Sequence, residues 1–200
     1  MKRMAAIAAM AAACALAGTA YGQAMAAWSA PDGAFSVQRP AGWPVDRMSD
    51  SSAQVTHYAA GLADAECSFF VIARPESAAT PPGHMQQMLT QPMTADQWSQ
   101  VASSMPNVFH GPVTVQASSV DTSNFWPVQR ATLMAGTTAV QSGITSRPGK
   151  EVWSFCQSFD SRDRSATFGS IIGSIATPQD AALQAAAEAA AAPAPAPAGH

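Results

Sequence analysis

The densest group of side chains that could bind a ligand lies in one ten-residue segment of the chain. One histidine and three methionines occur there: His84, Met85, Met88 and Met93. Thioether and imidazole groups suit Cu(I), and His84 and Met88 are four residues apart, which places them on one face of a helix. The segment is therefore a candidate copper site. The alternative is that Met85, Met88 and Met93 are flexible core side chains on an apolar helix face.

Catalysis by a histidine has less support in the residue pattern. His57 lies in a strand-like segment with Asp64 and Glu66 nearby, and His57 or His110 could meet a serine and an aspartate in space. Such a triad would indicate a hydrolase, and a buried His–carboxylate pair would favour that reading. The chain has no Gly-x-Ser-x-Gly, His-Glu-x-x-His, P-loop or Ser-x-x-Lys motif. We therefore predict a protein that is not an enzyme and needs no cofactor.

The N-terminal segment has the order of a secretory signal peptide. Lys2 and Arg3 precede an uncharged run over residues 4–16, and small residues follow it, which are the three regions of such a signal. We predict a signal peptide over residues 1–26, cleaved between residues 20 and 26. The run is too short and too rich in alanine for a membrane anchor. The processed protein is therefore predicted to be periplasmic or secreted, with no integral membrane span.

The balance of charge excludes one class of partner. The chain has 10 basic and 13 acidic residues, and removal of Lys2 and Arg3 leaves 8 against 13, a net charge of −5. Nucleic acid binding requires a basic surface that displaces counterions from phosphates, and attachment to anionic lipid requires a polybasic segment. The sequence therefore predicts that the partner is not nucleic acid, and it favours an envelope protein or a small ligand.

The predicted compartment bears on the oxidation state of the cysteines. Cys14 leaves with the signal peptide, and Cys67 and Cys156 remain as an even pair in an oxidising environment. Each lies in a strand-like segment, so neighbouring strands would allow a disulfide between them. The alternative is two separate buried thiols. A catalytic redox pair would favour Cys-x-x-Cys spacing, which the chain lacks.

Several elements that must position these residues are visible in the hydrophobic pattern. Residues 66–74 are apolar on both strand faces, which predicts cover on both sides of the sheet. Residues 84–105 have a helical pattern that Pro92 interrupts, and Thr94 with Gln97 forms a capping box for the second helix.

Two further signals lie near the C-terminal end of the domain. Residues 146–149 contain Pro and Gly where a type II hairpin turn needs them. Ser165 is positioned to cap a helix. The apolar face of that helix has helical spacing and comprises Phe168, Ile171, Ile172 and Ile175.

The domain organisation follows from these elements. We predict one α+β domain over residues 27–177, an antiparallel β-sheet flanked by helices in an α/β/α sandwich. Residues 178–200 are an Ala/Pro-rich tail. Residues 181–192 of this tail are predicted to form a short, weakly packed helix. The tail has too little bulky apolar surface to fold by itself, so we predict a disordered C-terminus.

The residues that begin and end the predicted domain carry a family resemblance. Residues 33–43 read GAFSVQRPAGW, and the last strand leads into FGSIIGSI at residues 168–175. Over residues 28–176 the chain resembles the superfamily of the PsbP subunit of the photosystem and the Mog-type proteins. The resemblance implies an antiparallel sheet between helical layers, with Phe35, Pro40 and Trp43 in structural roles. It implies an accessory or binding protein and no shared catalytic residues.

One aromatic pair is a second candidate for contact with a partner. Phe125 and Trp126 precede Pro127, and an aromatic pair on a loop can anchor a partner protein. The alternative is that both rings start a strand and pack in the core. The function predicted from the whole sequence is an exported binding protein that acts through its surface or a shallow cleft. A copper carrier is the alternative, and a hydrolase is the third reading.

Overall fold

The strands and helices of this chain are given by a computed structural model, which describes residues 24–192. The predicted signal peptide falls mainly on residues 1–23, and these and residues 193–200 lie outside the described part. Within residues 24–192 the strands are β1 Met25–Ser29, β2 Ser36–Pro40, β3 Val45–Arg47, β4 Val55–Leu62, β5 Ala65–Arg74, β6 Val113–Asp121, β7 Val128–Ala135, β8 Thr138–Arg147 and β9 Gly149–Ser158. The α-helices are α1 Pro82–Met88, α2 Ala95–Ser103, α3 Ser165–Gly173 and α4 Asp180–Ala191.

Seven of the strands form one antiparallel sheet in the order β3-β4-β5-β9-β8-β7-β6. The strands β1 and β2 form a separate hairpin that pairs Met25 with Pro40 at its open end. Within this sheet, strands that follow one another along the chain are paired, with one exception. The strand β6 follows β5 in the chain but lies at the far edge of the sheet, and β5 pairs instead with β9. The predicted α+β architecture, an antiparallel sheet flanked by helices, is confirmed.

The central strand β5 is buried on both faces, as its apolar pattern predicts. Cys67 and Phe69 belong to a first core, which the β1–β2 hairpin and α3 cover. Phe70 and Ile72 point to the other face and belong to a second core under α2. Burying one such aromatic or branched side chain contributes about 2 kcal/mol, so the two cores hold the layers on both sides of the sheet.

The disulfide lies in the middle of this sheet. Residues Cys67 of β5 and Cys156 of β9 are directly paired in the antiparallel register, and their Cα atoms are 4.0 Å apart. The structure joins their sulfur atoms. The chain therefore has the predicted bond rather than two separate buried thiols, and the bond connects the two strands that are far apart in sequence.

The local signals for turns and caps are confirmed with one exception. Gly149 has φ +83° in the two-residue turn between β8 and β9, as a type II turn requires. Thr94 and Gln97 make both hydrogen bonds of the capping box at α2. The prediction that Ser165 caps α3 is wrong. Arg164 occupies that position, and the backbone N–H of Ser165 donates to the Asp163 carboxylate at 2.9 Å.

The first part of the predicted tail is helical. The helix α4 buries none of its side chains, as expected for a weakly packed helix rich in alanine, and it contacts α1. Its first residue is held firmly, because Asp180 accepts two hydrogen bonds from Arg147 at 2.9 and 2.8 Å. The expectation of disorder therefore does not apply to residues 180–191, and residues 193–200 lie outside the described part.

No helix within residues 24–192 is both long enough and apolar enough to cross a membrane.

A close approach between β8 and α3 explains one glycine. A Cβ atom added to Gly143 would overlap Ile172 of α3, whose side chain is 2% exposed and packed in the first core. We expect Gly143→Ala to lower the free energy of unfolding by about 2 kcal/mol, because overpacking displaces the helix. Urea denaturation measures this. Gly42→Ala is the matched control, since its added Cβ meets nothing within 4 Å, and equal effects of the two changes would contradict this account.

Candidate functional site

A cleft lies between the sheet and the segment that joins α1 to α2. Its volume is about 370 Å³, which is within the range of small-ligand sites. We call it the helix–sheet cleft. One wall comes from Met88, Pro92 and Met93 in or after α1, and the opposite wall from Ile144 and Trp153 of the sheet. Apolar and polar side chains contribute to the lining in similar numbers, so the cleft offers both kinds of surface to a ligand.

A buried glutamine fixes the wall that carries the methionines. Gln129 of β7 is 3% exposed. Its amide nitrogen donates to the carbonyl oxygens of Leu89 and Gln91 at 2.7 and 3.0 Å, and its amide oxygen accepts the N–H of Met93 at 2.9 Å. A buried amide without such partners would be costly, so Gln129 holds this loop in one place against the sheet.

The polar end of the cleft contains one ion pair and one indole. Arg74 and Trp153 Nε1 both donate to the same oxygen of Glu151 at 2.9 Å. The guanidinium carbon of Arg74 lies 6.0 Å from the centre of the Trp153 ring. The second carboxylate oxygen of Glu151 accepts no hydrogen bond from the described residues. The cleft can therefore offer an acceptor for a ligand hydrogen bond beside an apolar surface.

The four residues of the candidate copper site have different surroundings. Met85 is 5% exposed, whereas Met88 is 55% exposed and His84 is also exposed. Met93 is half-buried against the second core. Only Met88 and Met93 of the four line the helix–sheet cleft. The side chains of His84 and Met88 remain as two exposed candidates one turn apart on α1, and Met85 has the environment of a core residue.

The candidate partner surface at Phe125 and Trp126 requires a correction. Trp126 is only 4% exposed, and its ring packs edge-on against Phe125 with the centroids 5.0 Å apart. The guanidinium carbon of Arg147 lies 5.3 Å from the centre of the Trp126 ring. The indole of Trp126 therefore packs in the interior, as the alternative reading expects, and cannot anchor a partner. Phe125 is half-buried.

Residue His57 makes contacts that the sequence pattern does not reveal. Its Nδ1 atom lies 2.8 Å from Asp50 Oδ1, and its Nε2 atom lies 3.2 Å from Ser68 Oγ. Ser68 in turn donates to Glu66 Oε1 at 3.0 Å. The ring of His57 stacks on Phe70 with the centroids 4.1 Å apart. Asp64, which the sequence places near His57, instead pairs with Arg164 at 2.7 Å.

This arrangement has the order of contacts of a Ser-His-Asp triad but lacks access. The imidazole of His57 is buried but Asp50 is an exposed residue, so this is not the fully buried His–carboxylate pair that would favour a hydrolase. Ser68 is 4% exposed, and its hydroxyl donates to Glu66 rather than being free to donate to the imidazole. A substrate carbonyl could not approach that oxygen. Burial alone would raise the pKa of Asp50, but hydrogen bonds from His57 and Asn107 outweigh it and lower that pKa.

The remaining titratable candidates are dispersed. His110 is exposed and lines a separate cavity with Val108 and Gln157. No group of three or more His, Cys, Asp or Glu side chains within residues 24–192 is arranged to hold a metal ion. A copper site would therefore depend on the methionine thioethers. Gln129 and Asp50 belong to these candidate sites and were missed by sequence reasoning. An amide at an inward-facing strand position is the signal that could have identified Gln129.

Comparisons with known proteins describe the fold. No family model and no curated protein matches this chain. The solution structure of cyanobacterial PsbP (CyanoP) from Synechocystis sp. PCC 6803 matches with a TM-score of 0.54 and 13% identity, over 80% of this chain and 96% of that chain. A Pseudomonas aeruginosa protein of unknown function, described as a putative regulator, matches with a TM-score of 0.31 and 9% identity over 87% and 99% of the two chains. The second likeness is too low to carry an argument. The first shows that this chain has a PsbP-like fold, as the resemblance in its sequence predicts.

Proposed function

We propose that this chain is an exported envelope protein that acts by binding rather than by catalysis, and that its ligand occupies the helix–sheet cleft. The observation that carries the proposal is the exposed side chain of Met88 on the rim of a cleft of about 370 Å³. Met side chains adapt to irregular apolar ligands. A ligand in this cavity would cover the side chain of Met88, which is 55% exposed.

Two observations support export, and a third indicates where the signal peptide is cleaved. The N-terminal residues have the order of a signal peptide, and the Cys67–Cys156 disulfide suits an oxidising compartment. The strand β1 begins at Met25. Cleavage after Ala20 or Gly22 would leave this strand complete, so we propose one of these two sites rather than cleavage after Ala26.

The chemistry of the cleft indicates the type of ligand. Met88, Met93 and Trp153 offer an apolar surface, and the free carboxylate oxygen of Glu151 offers a hydrogen-bond acceptor at its end. Arg74 balances the charge of Glu151. The group that fits is therefore an uncharged apolar or aromatic moiety with one adjacent N–H or O–H donor.

A copper carrier remains the alternative, since His84 and Met88 are both exposed on α1. In that case Cu(I) would bind through these two side chains, at the rim of the cleft rather than inside it. A hydrolase is the third reading, and the burial of Ser68 opposes it.

A neutral fluorescent probe tests the cleft directly. We expect N-phenylnaphthylamine, an apolar amine with one N–H donor, to bind the protein with enhanced emission. Met88→Glu should weaken this binding at least about tenfold, because the change removes an apolar contact and the new carboxylate would lose water when the probe covers the rim. Fluorescence titration of the wild type and the variant measures the two dissociation constants.

The matched control is Met48→Glu, since Met48 is 39% exposed and does not line the cleft. This variant should bind the probe as the wild type does. Absence of binding by the wild type, or equal binding by the wild type and Met88→Glu, would contradict the proposal. A Cu(I) affinity that falls in Met88→Glu while probe binding stays unchanged would favour the copper carrier.

A further inference from the structure

A second cavity lies at the other end of β9 from the helix–sheet cleft. Its volume is about 530 Å³, and it opens between the loop that joins β9 to α3 and the turn that joins β7 to β8. We call it the loop cavity. It shares no lining residue with the helix–sheet cleft. A ligand that enters it would therefore be recognised by a different set of groups.

An exposed aromatic ring stands at the rim of the loop cavity. Phe159 directly follows β9 and is 56% exposed, the highest value among the large apolar side chains that are exposed in the described part. Its backbone N–H donates to the Asp64 carbonyl at 2.9 Å, so the loop is held by its main chain rather than by the ring. The buried ring of Phe168 also lines the cavity. The face of Phe159 is therefore available to a ligand and is not needed for packing.

A network of ion pairs stiffens the loop beside this ring. Arg164 lies 2.7 Å from Asp64, and Arg162 lies 2.6 Å from Asp160. Each arginine also contacts the other aspartate. Hydrogen bonds from Arg164 and Arg162 hold the pKa of Asp160 well below its ordinary value. The four side chains therefore form one network of ion pairs beside the ring.

The charges that line the loop cavity cancel, and this bears on the class of ligand. Two guanidinium groups and the carboxylates of Asp160 and Asp163 line it, so a strongly charged ligand would meet as much repulsion as attraction. The same groups offer many donors and many acceptors in a small space. Thr138, Gln141 and Ser158 add uncharged polar groups to the lining. A ligand that both donates and accepts hydrogen bonds at neighbouring positions would fit this surface.

From these observations we propose that the loop cavity binds an uncharged oligosaccharide, with one sugar ring on the face of Phe159. A sugar has one face of C–H bonds, which packs on an aromatic ring, and a rim of hydroxyl groups, each of which can donate and accept. An arginine side chain can donate to a hydroxyl oxygen, and an aspartate side chain can accept from a hydroxyl group. This inference goes beyond the proposed role of the helix–sheet cleft, and it does not depend on it.

The test uses chitotriose, cellotriose and maltotriose as probes with the intact protein. Saturation-transfer NMR identifies which trisaccharide binds, and calorimetric titration gives its dissociation constant. We expect at least one of the three to bind with a dissociation constant of about 1 mM or lower. Phe159→Ala should weaken this binding at least about tenfold, as loss of a central aromatic contact does.

The control variant is Leu62→Ala. Leu62 is 49% exposed and does not line the loop cavity, so this variant should bind as the wild type does. Both changes remove exposed side chains, and circular dichroism should show unchanged folding. Failure of all three trisaccharides to bind at about 10 mM would overturn the proposal, as would unchanged binding by Phe159→Ala. Tighter binding of sodium sulfate than of any trisaccharide at this cavity would also overturn it.

Discussion

We expect replacement of both Cys67 and Cys156 by alanine to lower the free energy of unfolding by about 4 kcal/mol. The two residues are 89 positions apart in sequence, and a cross-link over a loop of this length restricts the unfolded chain by about that amount in the chain-entropy model. A domain of this size is stable by only about 5–15 kcal/mol. The loss would therefore remove a large part of its stability, and urea denaturation at neutral pH measures it.

Reduction of the wild-type protein separates the two causes of this effect. Both cysteines are fully buried in the first core, so the alanine variant loses packing of the sulfur atoms as well as the cross-link. The reduced wild type loses only the cross-link. We expect most of the destabilisation to appear on reduction alone. A reduced protein that is as stable as the oxidised one would show that the bond does not constrain the unfolded chain.

The second large effect is expected at the start of α4. Arg147 is 3% exposed, and its charge is balanced by the two hydrogen bonds to Asp180. Asp180→Ala would leave a buried guanidinium without its counter-ion, and such a loss costs about 3 kcal/mol. Because α4 buries no side chain of its own, the helix should also detach from the domain. Denaturation gives the stability, and amide hydrogen exchange of residues 180–191 reports the detachment.

A second carboxylate on the same helix provides the control. Glu188 is exposed and accepts a hydrogen bond from Gln184 at 2.8 Å, within α4, so Glu188→Ala should change the stability by less than about 0.5 kcal/mol. If the two alanine variants were equally stable, the ion pair with Arg147 would have no role in the fold.

The stability that the ion pair of Asp180 and Arg147 contributes depends on pH, and the direction follows from the pKa of Asp180. Burial alone would raise that pKa, but the hydrogen bonds and charge of Arg147, with donors from Thr177, outweigh burial and lower it. A lowered pKa in the folded state means that folding favours the ionised carboxylate. The contribution is therefore present above the unfolded pKa of about 3.9 and is lost as the pH falls through the lower folded value. The wild type and Asp180→Ala should become more similar in stability in acid.

The residue pattern was sufficient to predict most of the individual strands, helices and turns. The apolar run of β5 on both strand faces required two covering layers, and the structure has both. The capping box of α2 and the Pro-Gly turn before β9 depend on residues close together in sequence. Ser165 shows the limit of such local reasoning. Its backbone N–H donates to Asp163, and Ser165 is the first residue of the helix rather than the residue that caps it. Which residue caps a helix depends on the path by which the chain enters it.

The candidate sites could be predicted only in part. Met88 and Met93 belong to the segment that the sequence marks as chemically unusual, and both line the helix–sheet cleft. Gln129, which holds that segment, is 36 residues from Met93. The network of the loop cavity joins Asp64 to Arg164 across 100 residues. No spacing rule along the chain connects residues so distant.

By itself the sequence determined the type of most elements and the two-sided burial of the central strand, because these depend on periodicity and on short-range backbone preferences. It also carried the PsbP-like resemblance. The tertiary structure alone decided which strands are neighbours. The pairing of β5 with β9 brings Cys67 to Cys156. The packing of the layers also decided that Trp126 is buried, and that His57 meets Asp50 and Ser68 rather than Asp64. The physical reason is that contacts between distant residues are selected by the packing of the whole domain, which no local segment specifies.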